Sequence, residues 1–208
     1  TFIAENNSAT LLKGSSLLFS QSVDNSLLNY NPSDVINGYS DQPVKMIILT
    51  DPAFRKNLEP FIKWKTQKGF RLTTIYKGTG LNTFAQLKDS IAKIYNSGTV
   101  NNPAPDYLLI IGDINRIPIS GGTGNISDMY YGEFDGAGDF LPEMFIGRLP
   151  VSDTNEVKAV VNKIIQYEKF DFTGLNNFYT RAVITAGNDS SNYSLIMNKQ
   201  LTYALSNY

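Results

Sequence analysis

Short apolar segments alternate with amphipathic helical patterns along most of this chain, and this alternation restricts the possible folds more than any other feature. Residues 44–49 form an apolar run interrupted only by Lys45, which is typical of a strand covered on both faces. A helical pattern follows, with Asp51-Pro52 at its amino-terminal end and Gly69 at its carboxyl-terminal end. The α/β part of the chain is therefore expected to begin with a strand followed by a helix.

The alternation continues toward the end of the chain. Strands are predicted at 70–76, 107–111, 143–148 and 181–185, and helices at 83–95, 153–165 and 190–206. Glycines between 113 and 138 predict loops around one or two short strands, such as 129–131. This order predicts an α/β fold of three layers, with a mostly parallel sheet and helices on both faces. Residues 1–43 are expected to form an irregular extension, which could add an edge strand, before a domain at 44–208.

The chain contains neither Cys nor His among its 208 residues. It therefore has no thiol nucleophile, no thiolate ligand for a metal and no imidazole base. Metal binding would have to use oxygen ligands, as calcium and magnesium do. A formal net charge of −1, with no basic run, argues against a nucleic-acid partner. The longest apolar runs are also too short to span a bilayer.

Acidic residues follow the third predicted strand. Asp113 comes directly after it, and a glycine-containing loop then brings several more carboxylates: Asp128, Glu133, Asp135, Asp139 and Glu143. Converging carboxylate and carbonyl oxygens could bind calcium, although the spacing is not that of an EF-hand. Two other interpretations stay open. The loop acids could be solvated while Asp113 caps the turn after its strand, or Asp113 and Asp139 could be the acid and base of a glycosidase.

Several segments occur in an order and spacing that are typical of one enzyme family. They are residues 46–49, 59–70, 107–113, 127–132 and 143–149, with Ile117-Pro118 and Tyr167-Glu168 between and after them. Together they resemble the amino-terminal part of the catalytic domain of the gingipain family of cysteine peptidases. The resemblance implies a caspase/gingipain-like subdomain.

The resemblance also implies where catalysis resides. The nucleophilic Cys and the His of the family are expected beyond Tyr208, so this chain is expected to be inactive by itself, with Asn188 near the position of a family acidic residue. The full-length parent would be a secreted or cell-surface bacterial endopeptidase that acts on proteins or peptides. The missing second half of the catalytic domain would be its partner. The alternative is a non-catalytic, calcium-stabilised binding or adaptor domain on the same scaffold.

For the metal, the resemblance implies a structural calcium ion. Matched position by position, its ligands would be Asp113, Asp139 and Glu143, with Asp135 and the carbonyl oxygen of Leu141 as further candidates. The ion would neutralise the charge of the loop and attach it to the sheet.

Overall fold

A computed structural model describes residues 43–99, 102–120, 126–136, 138–174, 181 and 192–207. Its parallel sheet contains β1 (Lys45–Thr50), β2 (Arg71–Tyr76), β3 (Tyr107–Ile111) and β4 (Phe145–Leu149), in the order β2-β1-β3-β4. The helices are α1 (Arg55–Gln67), α2 (Phe84–Asn96), α3 (Thr154–Glu168) and α4 (Asn192–Asn207), and short 3₁₀ helices cover Pro52–Phe54 and Met129–Tyr131.

Helices cover both faces of the sheet because successive side chains of a strand point to opposite sides. Ile47 and Leu49 of β1 pack in one apolar cluster with Leu87 and Ile91 of α2. The alternate residues of β1 pack in a second cluster with α1 and α3, which includes Met46, Ile48, Phe54, Leu58, Phe61, Val157 and Val161. The predicted α/β fold with a parallel sheet between two helical layers is confirmed.

The helix boundaries follow the local signals in the sequence. Asp51 accepts a hydrogen bond from the backbone N–H of Ala53 at the predicted cap, and Gly69 has a φ of +92°, as expected just beyond a helix end. The start of α2 is held by a capping box between Thr83 and Gln86.

The segment 129–131 differs from its prediction, since it forms a 3₁₀ helix and not a short strand. Its backbone bonds close locally, from the N–H of Tyr131 to the carbonyl of Asp128 and from the N–H of Gly132 to the carbonyl of Met129. The Tyr131 side chain is fully buried in the cluster that contains α2. Local turn bonds and this buried ring therefore override the apolar pattern. The strand predicted at 181–185 lies almost entirely outside the described residues.

Contacts within the chain define two compact units, residues 1–165 and 166–208. The first contains the whole sheet with α1 and α2, and the second contains α4. The domain boundary predicted at residue 44 stays a prediction, because residues 1–42 lie outside the described part. None of the helices described is long and apolar enough to cross a membrane.

Candidate functional site

The predicted ligands lie at two opposite edges of the sheet. Asp113 follows the end of β3, whereas Glu143 precedes the start of β4. The two strands are parallel, with Tyr107 paired to Phe145 and Ile111 paired to Leu149. Four residues of strand at roughly 3.3 Å each separate the two edges by about 13 Å. One ion cannot be bound by both carboxylates, which corrects the expectation of a single site that includes Asp113.

At the carboxyl edge, Asp113 holds the turn that follows β3. Its Oδ1 accepts hydrogen bonds from the backbone N–H groups of Asn115 and Arg116, each at 3.0 Å, and its Oδ2 accepts one from Ser152 Oγ at 3.1 Å. Desolvation acts to raise the pKa of Asp113, but these hydrogen bonds stabilise the anion and leave the pKa below its usual value. Asp113 therefore has the role of a turn cap.

Arg116 connects the ends of three strands at this edge. Its Nη1 lies 3.7 Å from Asp51 Oδ2, just after β1, and its Nε donates to the carbonyl oxygen of Ser152, after β4, at 2.9 Å. The guanidinium carbon also lies 5.5 Å from the centre of the Phe54 ring. The polar groups at the carboxyl edge are thus largely bonded to one another.

Arg148 of β4 joins the two loops that follow β3. Its Nε and Nη2 donate to the two carboxylate oxygens of Asp128 at 2.8 and 2.7 Å. Its Nη1 donates to the carbonyl oxygens of Gly112 and Ile117 at 2.7 and 3.2 Å. The Arg148 side chain is only 10% exposed. The sequence shows Asp128 only as one of the loop acids and carries no signal of this pair, because the two residues are 20 positions apart.

The other predicted ligands lie together in residues 133–143, here called the acidic loop. Asp139 accepts hydrogen bonds from the backbone N–H groups of Asp135 at 3.2 Å and Leu141 at 3.0 Å. Glu143 Oε2 accepts one from the N–H of Phe134 at 3.1 Å. Gly136 and Gly138 have φ values of +102° and +92°, a conformation that favours glycine and lets the loop turn tightly.

The carboxylates of the acidic loop destabilise one another's charges. Burial, together with the nearby Asp139 and Asp135, raises the pKa of Glu143 to about 7, although hydrogen bonds to its carboxylate oppose the shift. Burial and the Asp139 charge also raise the pKa of Glu133, against the Lys88 ammonium. Glu133 was noted in the sequence only as one of several loop acids, and its burial has no signal in the local pattern.

The negative charges of the acidic loop also act on the phenol of Tyr95, which lies on α2. Burial raises the pKa of Tyr95, and the charges of Glu143, Asp135 and Asp106 raise it further. Its ring centre lies 5.2 Å from that of Phe134. The phenol therefore stays protonated beside the acidic loop.

Calcium binding is not established by this geometry. In the described ranges, no group of three or more acidic side chains is arranged so that it could hold a metal ion. The oxygens of Asp139 and Glu143 are turned toward backbone N–H groups of the loop itself. The donor chemistry nevertheless suits a hard cation, because every side-chain donor is a carboxylate. Asn188 lies outside the described residues.

The four-stranded parallel sheet with helices on both faces is the architecture of the caspase-like α/β proteins, and solved peptidase structures share it. A structure described as that of a protease superposes with a TM-score of 0.58 and 34% identity, over 62% of this chain and 29% of the other. The complex of the pro- and mature domains of Porphyromonas gingivalis RgpB superposes with a TM-score of 0.53 and 25% identity, over 59% of this chain and 29% of the other.

The chain belongs to Peptidase family C25, whose family model matches residues 39–208. Lys-gingipain from Porphyromonas gingivalis is 32% identical over 182 residues, which are 84% of this chain and 10% of that protein. Gingipain R2 from the same species is 27% identical over 173 residues, 80% of this chain and 22% of that protein. The resemblance to the gingipains is confirmed. The chain spans only a small part of the length of these relatives.

Proposed function

We propose that this chain is the amino-terminal subdomain of the catalytic domain of a secreted or cell-surface gingipain-like cysteine endopeptidase, and that it is inactive by itself. The observation that carries this proposal is the match of residues 39–208 to a peptidase family in a chain that has neither Cys nor His. A cysteine peptidase needs a thiolate to attack the scissile carbonyl carbon and a base to take the thiol proton. Both groups would come from the second half of the catalytic domain.

In the parent enzyme, His would accept the proton of the Cys thiol and later donate a proton to the leaving amine. This chain would supply the sheet on which the second half is built. Its strand-end loops, held by Arg116 and Arg148, would form a rigid surface at the carboxyl edge of the sheet. Ligands of open α/β sheets usually bind at that edge. The substrates would be proteins or peptides.

The experiment compares the 208-residue chain with the full-length parent on a set of peptide substrates. The expected result is no cleavage by the chain and cleavage by the parent that a thiol-alkylating reagent abolishes. Cleavage by the chain itself would contradict the proposal. An inactive parent that lacks a downstream Cys and His would favour the adaptor alternative.

A glycosidase is a poorer candidate. Its two carboxylates must lie within about 10 Å of each other. Asp139 acts electrostatically on Glu143, before β4, whereas Asp113 lies at the opposite edge of the sheet. The two residues are therefore too far apart to act as an acid and base pair.

We also propose that the acidic loop binds a structural calcium ion through the carboxylates of Asp135, Asp139 and Glu143 and the carbonyl oxygen of Leu141. The pKa of about 7 for Glu143 supports this proposal, because it reflects a carboxylate that is partly out of water and has the negative charges of Asp139 and Asp135 nearby. Bound calcium would supply the positive charge that compensates them. Asp113 is left out, since it lies at the other edge of the sheet.

Thermal unfolding in excess calcium and in excess chelator tests the metal. Calcium is expected to raise the melting temperature of the wild type, because it binds only the folded loop. Glu143→Gln should lose most of this shift, whereas Asp113→Asn should retain it. The proposal would be wrong if calcium left the wild type unchanged, or if Asp113→Asn removed the shift and Glu143→Gln did not.

A further inference from the structure

The helices α1 and α3 together carry a large excess of positive charge. They pack on the same face of the sheet, where their buried side chains share one apolar cluster. From Arg55 to Lys68, and from the start of α3 to the end of the first compact unit at 165, the two helical segments contain only two acidic residues, Glu59 and Glu156. Their seven basic residues, here called the basic layer, are Arg55, Lys56, Lys63, Lys65, Lys68, Lys158 and Lys163. The two segments therefore have an excess of positive charge in a chain whose net charge is −1.

The opposite face of the sheet is acidic. Phe134 of the acidic loop packs there, against the apolar cluster that contains α2. On this side α2 and the acidic loop contain two lysines, Lys88 and Lys93, and five carboxylates: Asp89, Glu133, Asp135, Asp139 and Glu143. The sheet thus separates a basic side of the molecule from an acidic one. Near an anionic surface, this separation of charge would turn the basic layer toward that surface.

Most of the cations of the basic layer have no acidic partner. Four of its lysines are exposed: Lys56, Lys63, Lys158 and Lys163. Within the part of the chain that the structure describes, none of these four forms an ion pair or donates a side-chain hydrogen bond. Lys56 and Lys63 are two turns apart on α1, about 10 Å, and so lie on the same side of the helix. The unpaired charges are therefore spread over a broad surface of two helices.

The only tryptophan of the chain, Trp64, belongs to the same surface. It follows Lys63 on α1 and is half-buried. The Lys68 ammonium lies 5.8 Å from the centre of its ring. Tryptophan is enriched where lipid headgroups meet acyl chains, because one end of its ring system is apolar and the other can donate a hydrogen bond. The apolar stems of lysine side chains suit the same boundary.

We propose that the basic layer binds the surface of a membrane that contains anionic lipids, with its lysines near the headgroup phosphates and Trp64 at the headgroup level. The outer sides of two helices form an open surface, which fits an extended array of anions and not one small ligand. Each lysine close to such a surface strengthens binding about fivefold. Trp64 favours a lipid surface over a soluble acidic protein. This inference depends neither on the calcium site nor on catalysis.

Cosedimentation of the 208-residue chain with lipid vesicles, in chelator throughout, tests the proposal. The chain is expected to bind vesicles of phosphatidylcholine mixed with phosphatidylglycerol, to bind less as salt is added, and not to bind phosphatidylcholine alone. Lys56→Gln/Lys63→Gln should bind at least about tenfold more weakly than the wild type. Lys88→Gln/Lys93→Gln, which loses the same charge on the opposite face, is the matched control and should bind like the wild type. Equal weakening of both double variants would overturn the proposal, because net charge and not this surface would then decide binding.

The fluorescence of Trp64 gives a second test, since no other tryptophan contributes to the signal. Binding to the anionic vesicles should shift its emission to shorter wavelength, and brominated lipids should quench it. Vesicle binding without any change in this emission would mean that another surface meets the lipid, and the proposal would be wrong. It would also be wrong if the chain bound soluble polyglutamate but not the vesicles, which would indicate an acidic protein partner.

Discussion

Single side chains connect the loops at the carboxyl edge of the sheet. Arg148 donates four hydrogen bonds, two to Asp128 and two to backbone carbonyl oxygens at Gly112 and Ile117. The planar guanidinium matches both a carboxylate and two carbonyls, which a lysine ammonium cannot do. Arg116 makes a looser contact with Asp51 at 3.7 Å and is 41% exposed. The two arginines therefore provide a matched comparison.

Arg148→Met is expected to lower the free energy of unfolding by about 3 kcal/mol, because it leaves Asp128 and two carbonyl oxygens without their partner. Arg116→Met should cost about 1 kcal/mol or less, as exposed pairs usually do. Urea unfolding measures both. In the double variant Asp128→Asn/Arg148→Met the losses should be smaller than the sum of the single losses. Additive losses would contradict the coupling of this pair.

Asp113 is expected to make stability depend on pH in the acid range. Because its pKa is lower in the folded than in the unfolded protein, its stabilising effect is complete above the unfolded value of 3.8 and is lost as the pH falls through the lower folded value. Asp113→Asn should therefore melt below the wild type at pH 6, and the difference should shrink below pH 3.8. Asp89→Asn, an exposed change on α2, serves as control. A difference that does not change with pH would contradict this role.

The backbone packs closely between the end of α2 and the start of β3. A Cβ atom added at Gly98 would lie 2.7 Å from the backbone nitrogen and 2.9 Å from the Cα of Ala104. Backbone atoms cannot move aside as the end of a side chain can. Gly147 of β4, by contrast, has no atom within 4 Å of an added Cβ. The packing therefore requires glycine at position 98, whereas a Cβ atom has room at position 147.

Gly98→Ala is expected to lower the free energy of unfolding by about 1–3 kcal/mol, the usual cost of overpacking. Gly147→Ala should be neutral or stabilising by up to about 1 kcal/mol, because alanine loses less backbone freedom than glycine on folding. Chemical denaturation of both variants checks this difference. Equal stability of the two variants would mean that the turn at Gly98 adapts at little cost.

At the scale of the whole molecule, the two central strands, β1 and β3, contain fully buried residues. Ile47, Ile48 and Leu49 of β1 and Ile110 of β3 are fully buried, and Leu108 of β3 is nearly so. In α4, several large apolar side chains are more than half exposed, among them Tyr193, Leu195 and Tyr203. Local opening should therefore cost less free energy in α4 than in the central strands.

Hydrogen–deuterium exchange is expected to be slowest in peptides from β1 and β3 and clearly faster in peptides from 192–207. The reason is that the central strands exchange only when the sheet opens, whereas α4 can open locally. The 208-residue chain is measured by mass spectrometry at one pH and temperature. Exchange in α4 as slow as in β1 would show that the helix is stabilised by more than its own backbone bonds.

The sequence by itself determined the elements and the family, because both depend on residues that are close together or in fixed order along the chain. The helical pattern between Asp51-Pro52 and Gly69 and the apolar run at 107–111 are local properties, and they predicted α1 and β3 closely. The acidic loop was also recognised as one segment, since its members are only a few residues apart.

Only the tertiary structure decided which of these residues meet. The parallel register of β3 and β4 places Asp113 and Glu143 at opposite edges of the sheet, although both border the same connection. The folded chain also brings Arg148 to Asp128 and leaves Glu133 buried, with the backbone on both sides of it bonded to Glu143. Strand register and burial arise from contacts between segments that are distant in sequence. They therefore cannot be predicted from a local sequence pattern.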